Sequence, residues 1–370
     1  MQRIIVSVTN DLVTDQRVHK VCTTLVDMNY EVILIGRKLP RSLPIIRSYR
    51  IIRMNLFFKK KVWFYAEYNI RLFFRLLFLK KDVLLSNDLD TLLPNFLISK
   101  FFGKKLVYDS HELFTEVGEL IHRPMIQKVW LSIERFIFPK LKNVYTVNQS
   151  ITSFYHKKYG NDVKVVRNIA PKLENKSINR AFAKKIKGDK NMLILQGSGI
   201  NPDRGAEEAI QMMQYLDDTI LYIIGGGDIF EELKGLAASL KLGEKVIIKD
   251  KMPYEELMEY TKIADLGLSL DKNTNLNYEF SLPNKVFDYI QAGTPLLVSD
   301  RKEVAGIVQE NDIGWVIEAV EPKKLAEKVK HILTDDNEYA IKKKNLKQAS
   351  EKYYWENEAE NLKDIFKNLK

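Results

Sequence analysis

Short apolar runs rich in β-branched residues recur along the chain, and stretches with apolar residues three and four apart lie between them. Residues 4–8 form the first run, and residues 18–28 follow with Val18, Val21, Cys22 and Leu25 on one helical face. The same reading predicts strands over 31–35, 83–85, 106–108, 144–147 and 163–166, with helices over 92–101, 125–141 and 151–158. Strands alternating with helices imply a parallel sheet covered on both faces.

The polar run 171–177 breaks this rhythm and is expected to be a linker. The alternation then restarts. Strands are predicted over 192–195, 220–224, 246–248, 266–270 and 296–298, and helices over 204–216, 229–240, 254–263 and 283–292. The expected class is α/β, with a first domain over 1–170 and a second over 178–350. Residues 351–370 add a charged terminal helix that offers Tyr354, Trp355, Leu362 and Ile365 for packing.

A length of 370 residues agrees with two domains. The single cysteine, Cys22, excludes an intramolecular disulfide and a cysteine-based zinc cluster, and it fits a reducing, cytoplasmic setting. Five histidines leave little room for a histidine-rich metal site. The run 4–8 is too short for a secretory core, and the apolar stretch 62–79 contains Glu67, Asn69, Arg71 and Arg75, which argues against a membrane span.

The net charge of +10 is uneven. Residues 1–170 hold 28 basic and 14 acidic residues, whereas the remainder holds 30 and 34. Segment 37–81 alone has 13 basic residues and 1 acidic one, interleaved with Phe57, Phe58, Trp63, Phe64, Phe73, Phe74 and Phe78. That mixture fits an anionic membrane surface or a solvated helix face with its aromatics in the core; nucleic acid is the weaker reading.

Ligands of open parallel sheets sit beyond the carboxyl ends of the strands, so the strand-to-helix junctions carry the chemistry. In the second half, Gln196-Gly197-Ser198-Gly199 leads to Asp203-Arg204-Gly205, where an arginine can pair with phosphate or lie solvated. Gly225-Gly226-Gly227-Asp228 permits close backbone approach or a plain tight turn. The run from Glu279 to Pro295 predicts a helix with Ser281 as cap, Pro283 in the first turn and Gly293 past its end. Asn284, Lys285 and the free N–H groups at its start would make an anion site, and Asp288 one turn on could accept from ribose hydroxyls; the alternative is a plain solvated helix start. In the first half, Asp15 and Arg17, Asp88, and His111 with Glu112 follow successive strands.

These motifs resemble the retaining, two-domain (GT-B) nucleotide-sugar glycosyltransferases, in particular family 4 of cell-surface polysaccharide synthesis. The likeness rests on Asp203-Arg204-Gly205, the glycine run 225–227, Ala264-Asp265-Leu266-Gly267, Leu282-Pro283-Asn284-Lys285 and Ala292-Gly293-Thr294-Pro295. It implies two Rossmann-like domains facing a central cleft, with the terminal helix crossing back to the first. It also implies a nucleotide-sugar donor, UDP-sugar ahead of GDP-sugar, and a hydroxyl acceptor on a glycan or lipid-linked carrier. No metal is implied. Arg204 and Lys285 would stabilise the leaving diphosphate, and His111 would serve the reaction centre. Gly197, Ser198, Gly226, Lys251, Met252, Glu279, Leu282, Pro283, Asn284 and Asp288 would line the donor. Asp15, Arg17, Asp88 and Glu112 would face the acceptor. The chain departs from the family's pair of glutamates eight apart, having Phe280 and Asp288 at those places. The competing readings are a sugar-nucleotide epimerase of related fold and a non-catalytic basic binding protein.

Overall fold

The structure is a computed structural model that describes residues 1–13, 15–40, 42–174 and 177–369. Asn175 and Lys176 of the expected linker, and Arg41 of the basic segment, lie outside them. Contacts divide the chain into one unit of Met1–Asn168 with Glu358–Lys370 and another of Ile169–Asn357.

The first unit holds a parallel sheet of seven strands: β1 (Arg3–Asp11), β2 (Glu31–Lys38), β3 (Arg50–Asn55), β4 (Val83–Asn87), β5 (Lys105–Ser110), β6 (Asn143–Thr146) and β7 (Val163–Val165). Their order is β3-β2-β1-β4-β5-β6-β7. The chain reverses its direction of travel at β1 and β4, so the loops after these two strands flank the crevice where open sheets bind ligands. Segment 37–81 supplies β3 and the helix Lys61–Phe78, neither of which the apolar spacing predicts. Phe64, Tyr68, Leu72 and Leu76 of that helix are buried, while Trp63, Ile70, Phe74 and Phe78 stay exposed. Within the same unit the Tyr30 and Phe366 rings lie 6.0 Å apart, and Glu358 Oε1 accepts from the Arg167 backbone N–H at 2.9 Å.

The second unit holds β8 (Asn191–Gly197), β9 (Thr219–Gly225), β10 (Val246–Asp250), β11 (Leu266–Ser269), β12 (Leu296–Ser299) and β13 (Gly314–Ile317). They are parallel, in the order β10-β9-β8-β11-β12-β13. Alternation along each strand divides its side chains between two cores. Leu193, Leu195, Leu221 and Ile223 join one, and Met192, Ile194, Ile220 and Ile224 join the other. Fully burying such side chains contributes about 1.5–3 kcal/mol each, which fixes the register of the strands and hence where their carboxyl ends lie. No described helix is long and apolar enough to cross a membrane.

Candidate active site

In the second unit the reversal falls between β8 and β11, and the loops after these strands meet there. Arg204, from the first loop, places Nη1 2.6 Å from Asp271 Oδ2 in the second. Its guanidinium also stands 4.2 Å from the centre of the Tyr278 ring. Ser281 Oγ donates to the same Asp271 oxygen at 3.0 Å. Ser281 is therefore not the expected helix cap. The helix is Asn284–Ala292, Pro283 occupies the cap position, and no side chain caps its first N–H groups. Gly293 does end the helix, with φ 70°.

The Arg204 loop is held by backbone fit. Gly226 N–H donates to Gly197 O at 3.1 Å, and Ile200 N–H donates to Gly226 O at 2.8 Å. A Cβ on Gly225, whose φ is +147°, would come 1.7 Å from Gly197 O. The glycine run thus locks one loop against the other, and the polar groups of Gly226 are spent on that contact. Gly205 (φ 75°) sits at the turn into the helix Ala206–Met212, so the helix predicted from residue 204 starts two residues later.

Lys285 lies in the first turn of the helix Asn284–Ala292 and is only 9% exposed. Its ammonium forms no hydrogen bond and no ion pair among the described residues. Burial lowers its pKa below the ordinary lysine value, Asp271 pulls it back up and the Arg204 charge pushes it down. A buried ammonium without a close partner carries a desolvation penalty that an anionic ligand would remove.

Asp288, one turn on, is held from two sides. Gln196 Nε2 donates to Oδ2 at 3.0 Å and the Tyr254 hydroxyl donates to Oδ1 at 3.0 Å. Thr261 Oγ1 in turn donates to Gln196 Oε1 at 2.7 Å. Glu279 forms an ion pair with Arg301. Ser198 and Lys251 are exposed, and Asn284 is exposed at the helix start, while Leu282, Pro283 and the Met252 side chain are half-buried. Sequence reasoning missed Gln196, Tyr254, Asp271 and Tyr278 as parts of this cluster. Asp271 had a signal, since it follows the predicted strand 266–270.

In the first unit, residues from β1, β4 and β5 build a second polar cluster. Asp88 adopts φ 56°, an uncommon conformation for a non-glycine residue that directs strain to this point. Its Oδ1 accepts from the His111 backbone N–H at 2.9 Å, and its Oδ2 lies 3.1 Å from His111 Nδ1. His111 Nε2 lies 3.1 Å from Asp109 Oδ2. Burial opposes charge on this ring, but Asp88 and Asp109 outweigh it and hold the His111 pKa well above the ordinary value. Asp109 is fully buried; burial favours its neutral form, yet Arg17 and His111 bring its pKa down to about 2.

Arg17 was expected on the acceptor side. Its guanidinium turns into the core, where it donates to Asp109 from Nε at 3.0 Å and from Nη2 at 2.7 Å. Nη1 donates to Val166 O at 3.0 Å. It holds Asp109 and so positions His111. Asp15 is likewise engaged: it caps the helix Gln16–Asp27 through the Val18 N–H at 3.0 Å. Glu112 is half-buried, and its carbonyl accepts from Ser110 Oγ at 2.9 Å. Sequence reasoning also missed Asp90, a buried carboxyl that accepts from Thr9 Oγ1 at 2.6 Å. Burial, and then the Asp88 charge, raise its pKa to about 7.

With both nitrogens facing carboxylate oxygens, the site favours the imidazolium form of His111. We expect ring nitrogen NMR to show both N–H groups at pH 7 and a titration midpoint above 6.5. The native state then keeps a proton that the unfolded chain gives up, so this ring contributes stability fully below pH 6.5. The contribution is lost as pH rises through the folded pKa. A neutral His111 ring at pH 7 would contradict the assigned geometry.

Among the described residues, one group of possible metal ligands lies elsewhere. His331, Asp335 and Glu338 bring ligand atoms within 4.8 Å of one another, but Asp335 is already the cap of the helix Asp336–Ser350.

Residues 177–353 match the family model described as glycosyl transferases group 1. No curated protein matches the chain by sequence. Sucrose-phosphate synthase from Thermosynechococcus elongatus is similar at TM-score 0.82 and 16% identity, covering 99% of this chain and 98% of that one. WaaG, a glycosyltransferase involved in lipopolysaccharide biosynthesis, is similar at TM-score 0.75 and 15% identity over 98% and 99% of the two chains. Anabaena HepE, solved in complex with UDP and glucose, is similar at TM-score 0.73 and 12% identity over 100% of both.

Proposed function

We propose that this chain is a glycosyltransferase, a reading supported by the match of residues 177–353 to the group 1 family model and by the likeness of its fold to glycosyltransferases, and that its donor is a nucleoside-diphosphate sugar bound at Arg204, Lys285 and Asp288. The observation that carries this is Lys285, a largely buried lysine whose ammonium has no hydrogen-bond or ion-pair partner among the described residues, at the start of an uncapped helix. A diphosphate supplies the missing counter-charge, and the free helix N–H groups face the same anion. Asp288, already oriented by Gln196 and Tyr254, is placed to accept from ribose hydroxyls. HepE, whose structure contains UDP, supports UDP ahead of GDP.

In the proposed reaction the bond between the sugar's anomeric carbon and the phosphate oxygen breaks. A bond to the acceptor oxygen forms on the same face, and the acceptor proton passes to the released diphosphate. Arg204 and Lys285 stabilise the charge that develops on that diphosphate, the role a metal would otherwise fill. The acceptor is a hydroxyl of a glycan or lipid-linked carrier in cell-surface polysaccharide synthesis. His111 enters as a fixed cation in the acceptor-side unit. The basic, aromatic segment 37–81 supports work at the inner surface of a membrane.

A thermal-shift series with nucleoside diphosphates tests the donor. UDP is expected to raise the melting temperature, with about 2.7 kcal/mol of added stability at 100 times its dissociation constant. Absence of a shift with every nucleoside diphosphate would remove the donor assignment. Mass analysis of the products then separates transfer, which releases UDP and enlarges the acceptor, from epimerisation, which does neither.

A further inference from the structure

A cavity of about 300 Å³ opens in the first unit where β2 and β3 end. Arg37, Lys38 and Lys59 line it together with Leu56, Phe58 and Phe64, and no acidic side chain does. The Arg37 guanidinium stands 4.8 Å from the centre of the Phe64 ring, and its buried Nε has no hydrogen-bond partner. Among the described residues none of the three cations forms an ion pair. The nearby acids are engaged with other groups. Glu67 accepts from the Phe57 and Phe58 N–H groups at 3.0 and 2.8 Å and pairs with Arg71 at 2.7 Å. Asp11 pairs with Arg53 at 3.0 Å.

Two further features bear on what would enter. The helix Lys61–Phe78 begins between Lys59 and Phe64, and no side chain caps it, so its free N–H groups add positive potential beside the cavity. Outside, Phe57, Val62 and Trp63 are exposed, and the Phe58 and Trp63 rings lie 6.0 Å apart. A half-buried Arg37 with the exposed Lys38 and Lys59 at the rim, beside the exposed rings of Phe58 and Trp63, matches a ligand that has an anionic head and a hydrocarbon tail.

We infer that this cavity binds the phosphate group of an amphipathic phosphate ester, with the ester's apolar chain lying across Phe58 and Trp63. The phosphate can belong to a lipid-linked acceptor met singly or to an anionic lipid of a membrane surface. Its part in presenting an acceptor rests on the sugar-transfer reading; the binding itself does not.

Titration calorimetry with farnesyl phosphate below its aggregation concentration tests the site, with farnesol as the uncharged control. Wild-type protein is expected to bind farnesyl phosphate and not farnesol. The Arg37→Gln/Lys59→Gln double variant is expected to bind it about tenfold or more weakly, since charge-assisted contacts are lost. Sedimentation with phosphatidylcholine vesicles, with and without phosphatidic acid, separates the sources. Retention on phosphatidic acid that the double variant loses assigns the membrane lipid. Binding of monomeric farnesyl phosphate without vesicle retention assigns a single acceptor molecule. Equal affinity of wild type and double variant in both assays, or equal binding of farnesol, overturns the proposal. The UDP-induced thermal shift is expected to be unchanged in the double variant, so failure at this cavity and failure of the donor assignment are read separately.

Discussion

Lys285→Met is expected to lower turnover by about 100-fold or more, the scale on which a preorganised charge stabiliser acts, while melting no lower than the wild type. The two halves of this expectation come from one fact. The Lys285 ammonium is buried without a close partner, so it weakens the unliganded fold and serves only when an anion arrives. Its lowered pKa carries the same sign: the folded chain binds this proton less tightly than the unfolded chain does, and stability rises as pH passes upward through the folded value. Methionine keeps much of the chain's volume and removes the charge. Arg204→Ala is expected to lose turnover on the same scale but also to melt lower. Its removal takes the partner from the buried Asp271 carboxylate, whose Oδ1 already has no hydrogen bond. Steady-state turnover and thermal melting of both variants distinguish an anion-binding lysine from a structural one. Near-normal turnover in both would end the assignment, and a large loss of stability in Lys285→Met would make the lysine structural.

The strand-and-helix alternation was legible because each buried strand is a short apolar run and each flanking helix has one apolar face. The helix Lys61–Phe78 shows where that reading stops. Its buried stripe, Phe64, Tyr68, Leu72 and Leu76, is regular at four-residue spacing, but Trp63, Ile70, Phe74 and Phe78 are apolar and exposed. Apolar residues all round the helix hide the period, and the charges then dominate the impression. In the second unit, Arg204, Lys285 and Asp288 were visible as polar residues at strand-to-helix junctions. Their partners were not. The contact of Arg204 with Asp271 spans 67 residues and follows from β8 and β11 being neighbours, which is a property of strand order and not of spacing. The partner of Arg17 was hidden for a related reason. An arginine at the second position of a helix looks solvent-facing until β5 is placed beside β4 and brings Asp109 beneath it.

That inward pair should dominate the stability of the first unit. Arg17→Met is expected to destabilise the protein by about 3–5 kcal/mol, because it leaves the Asp109 charge buried with one cation instead of two. The side chains of Arg17 and Asp109 are 3% and 0% exposed, so water cannot replace the lost partner. The variant also relaxes the force that holds Asp109 near pKa 2. An Asp109 with a higher folded pKa contributes less stability at neutral pH and loses less of it on acidification, so the stability gap between variant and wild type should narrow as pH falls below the ordinary carboxylate range. Arg17→Met/Asp109→Asn removes the stranded charge together with its partner and is expected to recover part of the stability, as replacement of both members of a buried pair does elsewhere. It does not recover the charge on His111, which then faces Asp88 alone and should titrate at a lower pH than in the wild type. Denaturant unfolding gives the first comparison and histidine NMR the second. If the double variant is as unstable as the single one while His111 titrates as in the wild type, Arg17 acts through its Val166 contact and not through Asp109.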